Sequence, residues 1–397
     1  MYTFSTCLNK KEYDKFIENY SMASFMQEYN WANVKDNWKS FHCGLYNNKK
    51  LIGVCLILVK KVLKNINIFY IPRGYLIDFT NYNDLKAMTD NIKALAKKNK
   101  AYVVKIDPNF CISEKNLKNN PLQNNYSKDY QIKHNNLLKL GYKWTGKNKE
   151  IGKNLQPQYN IFAPVIDKDN NILKIEDVLK TYKSKFRYYL GDYGKKRGIS
   201  YEIQNGDDYL DIFVNLLKKT EEKQNISLRN KEYYKKILAN FKGRAFIFFG
   251  KLDIKKYIGF LKESNMEEEV KKIVDLFKDK KSVTLSTGLL LLPLNKNGIR
   301  TSEYLYAGND NILNNLNVSA GLVFEMIKFS IENKCHYCNL GGVDGNLSDH
   351  LTIFKQKFNG SVMEFAGEYD LPIEKKYYLI TLLYPFLIKI YKKIRKK

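Results

Sequence analysis

The chain has 397 residues, 44% apolar, 27% charged and with 30 tyrosines, which suits a globular protein with two cores and excludes a disordered tail, a coiled coil or a collagen. Lysine and arginine total 67 against 41 aspartate and glutamate, a formal charge of +26, so an acidic partner is expected: nucleic acid, phosphorylated small molecules or an anionic membrane surface. No signal peptide, no apolar run of ~18–20 residues and no disulfide framework among six cysteines can be read, which predicts a reduced, cytoplasmic protein.

In chain order, KKEYDKFIENY and the stretch around residues 27–36 have helical spacing. KSFHCGLY, KLIGVCLILVKKV and INIFYIP then read as successive strands bounded by NNKK and NIN turns. A polar helix over 83–98 leads to the strand AYVVKIDP, a further helix ending at Gly141, and another strand. The second half repeats this order. A basic helical pair over 178–196 precedes the strand ISYEIQNG and two helices, one from DDYLDIFV and one over 230–240. RAFIFFGKL, SVTLSTGLLLLPL and IRTSEYLYAG are strands, followed by a helix over 320–333, the strand HYCNLGG, a helix near 350–358 and a last strand SVMEFAGEYD. The expectation is an α+β protein made of two copies of one unit, 1–155 (completed by 365–397) and 156–364. Residues 253–281, dense in Lys and Glu, read as a short exposed helical arm or as a solvated loop inserted in the second copy. The basic tail is expected to pack on the protein over 379–387 and to reach toward anionic lipid over 389–397.

Several chemistries can be set aside. With four histidines and no GxSxG, HExxH or paired CxxC, neither a Ser-His-Asp hydrolase nor a zinc protease is indicated, and no metal is expected. Cys335 and Cys338 would diverge if they lie on one strand. The GYKWTGKN segment after Gly141 lacks the Ser/Thr of a phosphate-binding P-loop and reads as a helix-terminating glycine entering a strand. A loop for the pyrophosphate of acetyl-CoA is also missing.

Four clusters suit anionic substrates. In FMQEYNWANVKDNW, one helix would place Trp31, Val34 and Trp38 on one face with Lys35 beside them, either to grip a phosphate or as two core indoles with a surface lysine. IPRG with YVVKIDP sets Asp107 at a strand end, with Lys105 two residues earlier on the same face. That carboxylate could hold an amine or accept a proton, or simply start the turn before Pro108. The densest positive run combines Lys183, Lys185 and Arg187, residues 195–197, and Arg229 ahead of Tyr233; it resembles a footprint for a polyphosphate or RNA backbone. Tyr304 and Tyr306 with Phe354 and Lys355 place hydroxyls and an ammonium where an oxyanion could be stabilised.

Taken together, FMQEYNWANVKDNW, FYIPRG, AYVVKIDP, SKFRYYLGDYGKKRG, YLYAG, HYCNLGGVDG and IFKQKFNG resemble, in order and spacing, the Fem family of peptidoglycan bridge-forming aminoacyltransferases over nearly the whole chain. The resemblance implies two GNAT-like domains with a cleft between them. It implies transfer of an amino acid from aminoacyl-tRNA to the stem peptide of a nucleotide-linked or lipid-linked peptidoglycan precursor. Carried over motif by motif, Lys35 and Arg229 would hold the precursor's phosphates with Trp38 nearby. Tyr102, Asp107, Tyr233 and Tyr306 would line the stem-peptide site. Phe354 and Lys355 would meet the aminoacyl ester, with Lys355 stabilising charge on its carbonyl. Members of the FemA and FemB type carry a long coiled-coil arm, for which only about 30 residues are present here. Because the ester is already activated, the chemistry requires no ATP, metal or other cofactor. An acyl-CoA N-acyltransferase on the same fold and a non-catalytic RNA- or membrane-binding protein are the alternatives.

Overall fold

The computed structural model describes residues 1–63, 66–116, 128–224, 226–278, 280–381 and 383. The tail segment expected to reach lipid, and most of the stretch expected to pack, lie outside the described residues. Among the described residues, no helix is long and apolar enough to cross a membrane. The chain divides into two compact units. Unit 1 takes Met1–Glu114, Gln123–Tyr159 and Glu364–Lys397; unit 2 takes Lys115–Leu122 and Asn160–Met363.

In unit 1, strands β1 (Tyr2–Ser5), β2 (Lys39–Asn47), β3 (Lys50–Leu63), β4 (Ile66–Ile71) and β5 (Ala101–Ile106) are joined by helices α1 (Lys10–Glu18), α2 (Trp31–Val34) and α3 (Tyr82–Lys98). Strand β6 (Cys111–Asn116), helix α4 (Lys128–Lys139) and strand β7 (Lys143–Trp144) follow. The sheet runs β1-β2-β3-β4-β5, then the late strand Tyr369–Pro372, then β7. Asn48 and Lys49, both at positive φ, make the two-residue turn that lets β2 and β3 fold back on each other. Asn81 caps α3 by accepting from the Asp84 N–H, and Leu85, Met88, Ile92 and Ala96 recur at the 3–4 spacing that buries one stripe. That stripe joins a core with Phe69, Ile71, Val104 and Ile106. The β4–β5 ladder is parallel and stays paired up to Ile71 opposite Ile106.

Unit 2 continues with β8 (Tyr159–Pro164), helices α5 (Ile175–Lys180), α6 (Ser184–Leu190) and α7 (Asp192–Lys196), strand β9 (Ile199–Gln204), and helices α8 (Leu210–Gln224) and α9 (Lys231–Asn240). Next come β10 (Ala245–Asp253), α10 (Ile254–Glu263), α11 (Glu267–Phe277), β11 (Ser282–Leu291), β12 (Thr301–Asn309), α12 (Val318–Glu332), β13 (Tyr337–Val343), α13 (His350–Gln356) and β14 (Ser361–Phe365). Among the strands named for this unit, the order in their eight-stranded sheet is β14-β8-β13-β12-β11-β10-β9. As in unit 1, an antiparallel meander is followed by a helix and a parallel partner. Here the parallel β12–β13 pairing covers only Thr301–Glu303 against Tyr337–Asn339 and then stops.

Four local expectations are corrected. The FMQEYNW region is no single helix: Ser24 and Gln27 form a capping box over a 3₁₀ turn, and α2 is one turn long. Trp38 therefore lies beyond the helix that was to align it with Trp31. Residues 253–281 are helical, as one of the two expectations had it, and not a loop, but the insertion is not wholly exposed. They form α10 and α11, whose Ile254, Tyr257, Leu261, Ile273 and Phe277 are buried in one apolar cluster with Leu252 and Leu285. The last expected strand is two, because the chain breaks over 366–368 around Gly367. Cys335 precedes β13, so the two cysteines do not share a strand; both are buried, free thiols that burial pushes up, to about 12 and about 11.

Candidate active site

Where the β12–β13 ladder stops, unit 2 holds a cavity of about 700 Å³. Its walls are Tyr304–Ala307 of β12, Leu340–Gly342 of β13, Phe354 and Lys355 of α13, and Leu228 and the end of α8. A parallel pair that ceases to bond leaves room between its ends and backbone groups facing that room. Asp349 builds the far wall. Its carboxylate caps α13, accepting from the Leu351 N–H at 2.9 Å and the Thr352 N–H at 3.0 Å. This fixes the helix so that Lys355, one turn further on, points inward.

Lys355 is 6% exposed, and its Nζ donates to the Gly342 carbonyl at 2.9 Å. Burial lowers its pKa to about 7, with the Asp349 carboxylate acting in the opposite direction. At neutral pH this amine is thus divided between its two forms. It can present a proton to a developing oxyanion or take one up. Phe354 stands half-buried beside it in the same wall.

Tyr306 connects this cavity to α9. Its hydroxyl donates to the Tyr233 hydroxyl at 3.3 Å, and its ring meets Tyr234 edge-on at 5.0 Å. Burial raises Tyr306 well above the usual phenol value, with Tyr233 adding to the effect, so it remains a neutral donor. The exposed Arg229 guanidinium lies 5.4 Å from the Tyr233 ring and lines an adjoining cavity of about 390 Å³ that shares Leu228. Five of the nine expected site residues (Arg229, Tyr233, Tyr306, Phe354 and Lys355) are thus joined in a row within unit 2.

The other four belong to unit 1. Asp107 is 3% exposed and lies just past β5. Its Oδ1 accepts from the Arg73 N–H at 2.9 Å, while Oδ2 has no hydrogen-bond partner among the described residues. Burial pushes its pKa up to about 6 against the pull of the Arg73 guanidinium. Arg73 itself sits at φ 56°, uncommon for a side-chain-bearing residue. Its neighbour Gly74 (φ 74°) would bring a Cβ within 3.0 Å of Pro108 Cα, so the IPRG and IDP turns interlock only with glycine there. Lys105, two residues before Asp107, pairs elsewhere: its Nζ bonds Asp370 at 2.6 Å, because the late strand lies alongside Lys105.

Lys35 lies over Trp31 (5.0 Å to the ring), and the half-buried Trp38 lies under Lys60 (5.5 Å). Gln27 ties this region to the turn by donating to the Arg73 and Gly74 carbonyls at 2.9 and 3.2 Å. Tyr102 is buried against Tyr377, ring to ring at 6.4 Å, in a small apolar cluster with Val103. It packs there and has little surface to offer a substrate. Sequence reasoning missed Asp349 and Gly342; the Ser-Asp-His run ahead of α13 carried the cap signal for the first, and no pattern marks the second.

The FemAB family model matches residues 8–287 and 263–385. The chain is similar to the lipid II:glycine glycyltransferase of Staphylococcus epidermidis, with 25% identity over 437 aligned positions and 98% of each chain covered. It is also similar to that of Staphylococcus aureus, with 26% identity covering 98% of this chain and 99% of the relative. Among solved structures, a crystal structure of FemX superposes with a TM-score of 0.76 at 22% identity, over 96% of this chain and 99% of the other. A tandem GNAT protein from the clavulanic acid biosynthesis pathway superposes with a TM-score of 0.50 at 7% identity, over 94% and 99%. With nearly its whole length matched, the chain belongs to the FemAB family of aminoacyltransferases.

Proposed function

We propose that this protein moves an amino acid from aminoacyl-tRNA to an amine on the stem peptide of a peptidoglycan precursor, in the formation of a peptide bridge. The observation that carries this reading is Lys355: a desolvated amine near neutrality in the wall of the cavity that opens where β12 and β13 part. The acceptor amine attacks the ester carbonyl, forming a C–N bond. The C–O bond to the ribose breaks, and the ribose oxygen leaves with a proton. The Lys355 ammonium faces the oxyanion and supplies that proton, then recovers one from the new amide nitrogen. Tyr306, held by Tyr233, is the neutral donor beside it, and Arg229 is suited to a phosphate on the acceptor. In unit 1, the family resemblance offers Lys35 with Trp38 to the precursor's phosphates and Asp107 to its stem peptide.

The similarity to glycyltransferases supports glycine as the amino acid to test first. The test incubates the protein with a mixture of charged tRNAs and, in parallel, nucleotide-linked or lipid-linked precursor, and weighs the stem peptide by mass spectrometry. A mass increase of one aminoacyl residue that requires charged tRNA is expected. An unchanged stem peptide with every charged tRNA and both precursors, or an increase that requires acyl-CoA, would overturn the reading.

A further inference from the structure

Strands β12 and β13 part at a defined pair of residues. Glu303 and Asn339 are the last to face each other in the parallel ladder, and their side chains are joined as well: Asn339 Nδ2 donates to Glu303 Oε2 at 2.7 Å. The other end of the same amide is also engaged, because Asn339 Oδ1 accepts from the Gly341 N–H at 2.8 Å. Asn339 is 5% exposed, so losing either bond leaves a buried polar atom unsatisfied. One planar amide thus links a carboxylate of β12 to the backbone of β13 where the cavity begins.

Accepting from the N–H two positions on is turn chemistry that asparagine favours, and here it bends the end of β13. Gly341 takes φ 85° in this bend, a conformation that suits glycine. A Cβ on Gly341 would stand 3.6 Å from Lys355 Nζ and 3.6 Å from the Tyr304 carbonyl, so the amine lies against the bare face of that glycine. The next residue, Gly342, gives its carbonyl to Lys355 Nζ at 2.9 Å. Two successive glycines have no side chains of their own to hold such a bend, and the constraint comes from the Asn339 amide. Asp349 fixes the helix that carries the lysine; Asn339 fixes the carbonyl that receives it.

We propose that Asn339, anchored by Glu303, is a positioning residue for Lys355: it sets the Gly342 carbonyl that holds the amine in the cavity wall. The proposal rests on the reading above, in which Lys355 faces the oxyanion, and it makes the end of the β12–β13 ladder a part of the catalytic apparatus. A reacting group misplaced by about 1 Å can lose ~10²-fold in rate. The ionisable groups that share this wall with Lys355 are Asp349 and His350 at the start of its own helix and the phenols of Tyr304 and Tyr306 on β12. The substitutions below leave all four in place.

The test is trace labelling of the full-length protein with acetic anhydride, without substrate, between about pH 5.5 and 10, with the Lys355 peptide read by mass spectrometry. In the parent, Lys355 should titrate near 7. In Asn339→Leu the bend is unheld and the amine, on its long flexible stem, reaches the water of the open cavity; its midpoint should rise by at least about one pH unit. Glu303→Ala removes the anchor from the other strand and should raise the midpoint by less, a reading that decides the matter should Asn339→Leu fail to fold. Circular dichroism melts verify the fold of each variant. In transfer assays Asn339→Leu should lower kcat about 10–100-fold while KM for charged tRNA and precursor changes less than about threefold. Asn339→Asp sets a second carboxylate against Glu303 and should be defective too. Adding Glu303→Gln to it restores a donor–acceptor pair and should return kcat to within about threefold of the parent. A Lys355 midpoint that is unchanged or lowered in folded Asn339→Leu overturns the proposal, as does a double variant no better than Asn339→Asp alone. If the midpoint rises as stated while no amide product forms with any charged tRNA, the positioning stands and only the functional reading falls.

Discussion

Lys355 Nζ donates to the carbonyl of Gly342, 13 positions earlier, at 2.9 Å, and that bond holds a nearly buried amine at the open end of a β-strand. A backbone carbonyl satisfies one of its protons without adding a negative charge. The amine is therefore anchored in place while its pKa stays near 7.

Turnover should follow the protonated fraction of this lysine. The rate in single-turnover experiments is expected to fall as pH rises through about 7. Lys355→Arg keeps a charge at every accessible pH and should remove that limb from the pH profile, at a lower plateau. Lys355→Met should cut kcat by about 10²–10³-fold, the usual loss when an oxyanion donor is removed.

The same substitution should stabilise the fold. A lysine with a folded-state pKa of about 7 contributes stability that is present above its unfolded value of 10.5 and is lost as pH falls toward 7. At pH 7.5 most of that penalty is in force. Lys355→Met is expected to gain about 1–3 kcal/mol in urea unfolding, and the gain should vanish near pH 10.5.

Asp107 has the mirror-image behaviour. Its folded pKa of about 6 exceeds the ordinary 3.8, so the stability it contributes is full below 3.8 and is lost as pH rises through 6. Asp107→Asn should flatten that decline, making the variant more stable than the parent at pH 7 by about 1–3 kcal/mol and no more stable at pH 3.8. Urea melts of both proteins at the two pH values are the check.

The hydroxyl pair of Tyr306 and Tyr233 should behave as a single unit. Either Tyr→Phe change removes one neutral hydrogen bond and is expected to lower kcat/KM about three- to tenfold. The double variant should cost little more than either single one, a coupling that a double-mutant cycle reads directly.

Gly308, the end of the YLYAG run, marks where α8 meets β12. A Cβ there would sit 2.7 Å from backbone atoms of Leu216 and Leu217. Gly308→Ala must push the helix away and is expected to cost about 1–3 kcal/mol, seen as a lower Tm.

Local features were legible in the sequence where they depended on neighbours along the chain. The α3 stripe and the Asn48–Lys49 hairpin needed only spacing and turn chemistry. Trp38 was misplaced because helical spacing continued past Val34, where the backbone had already left the helix. In residues 253–281 the Lys and Glu density masked a buried stripe, Ile254, Tyr257 and Leu261, that carries the same 3–4 rhythm. Strand parity places Lys105 on the face of Asp107, yet its partner Asp370 comes from a strand 265 positions later. Nothing local announces such a partner. The Lys355 cavity likewise depends on where a ladder stops, and ladder length is a property of two strands and the helix that joins them.

One half of this molecule keeps its inner parallel strands zipped to their tips, and the other leaves them agape. Twin architectures usually invite redundancy, but here the two ladders differ in how far they stay paired. A new donor preference could therefore be acquired by editing the few side chains that rim the gap beyond Glu303 and Asn339, while the fully laddered pair in the other half is left untouched.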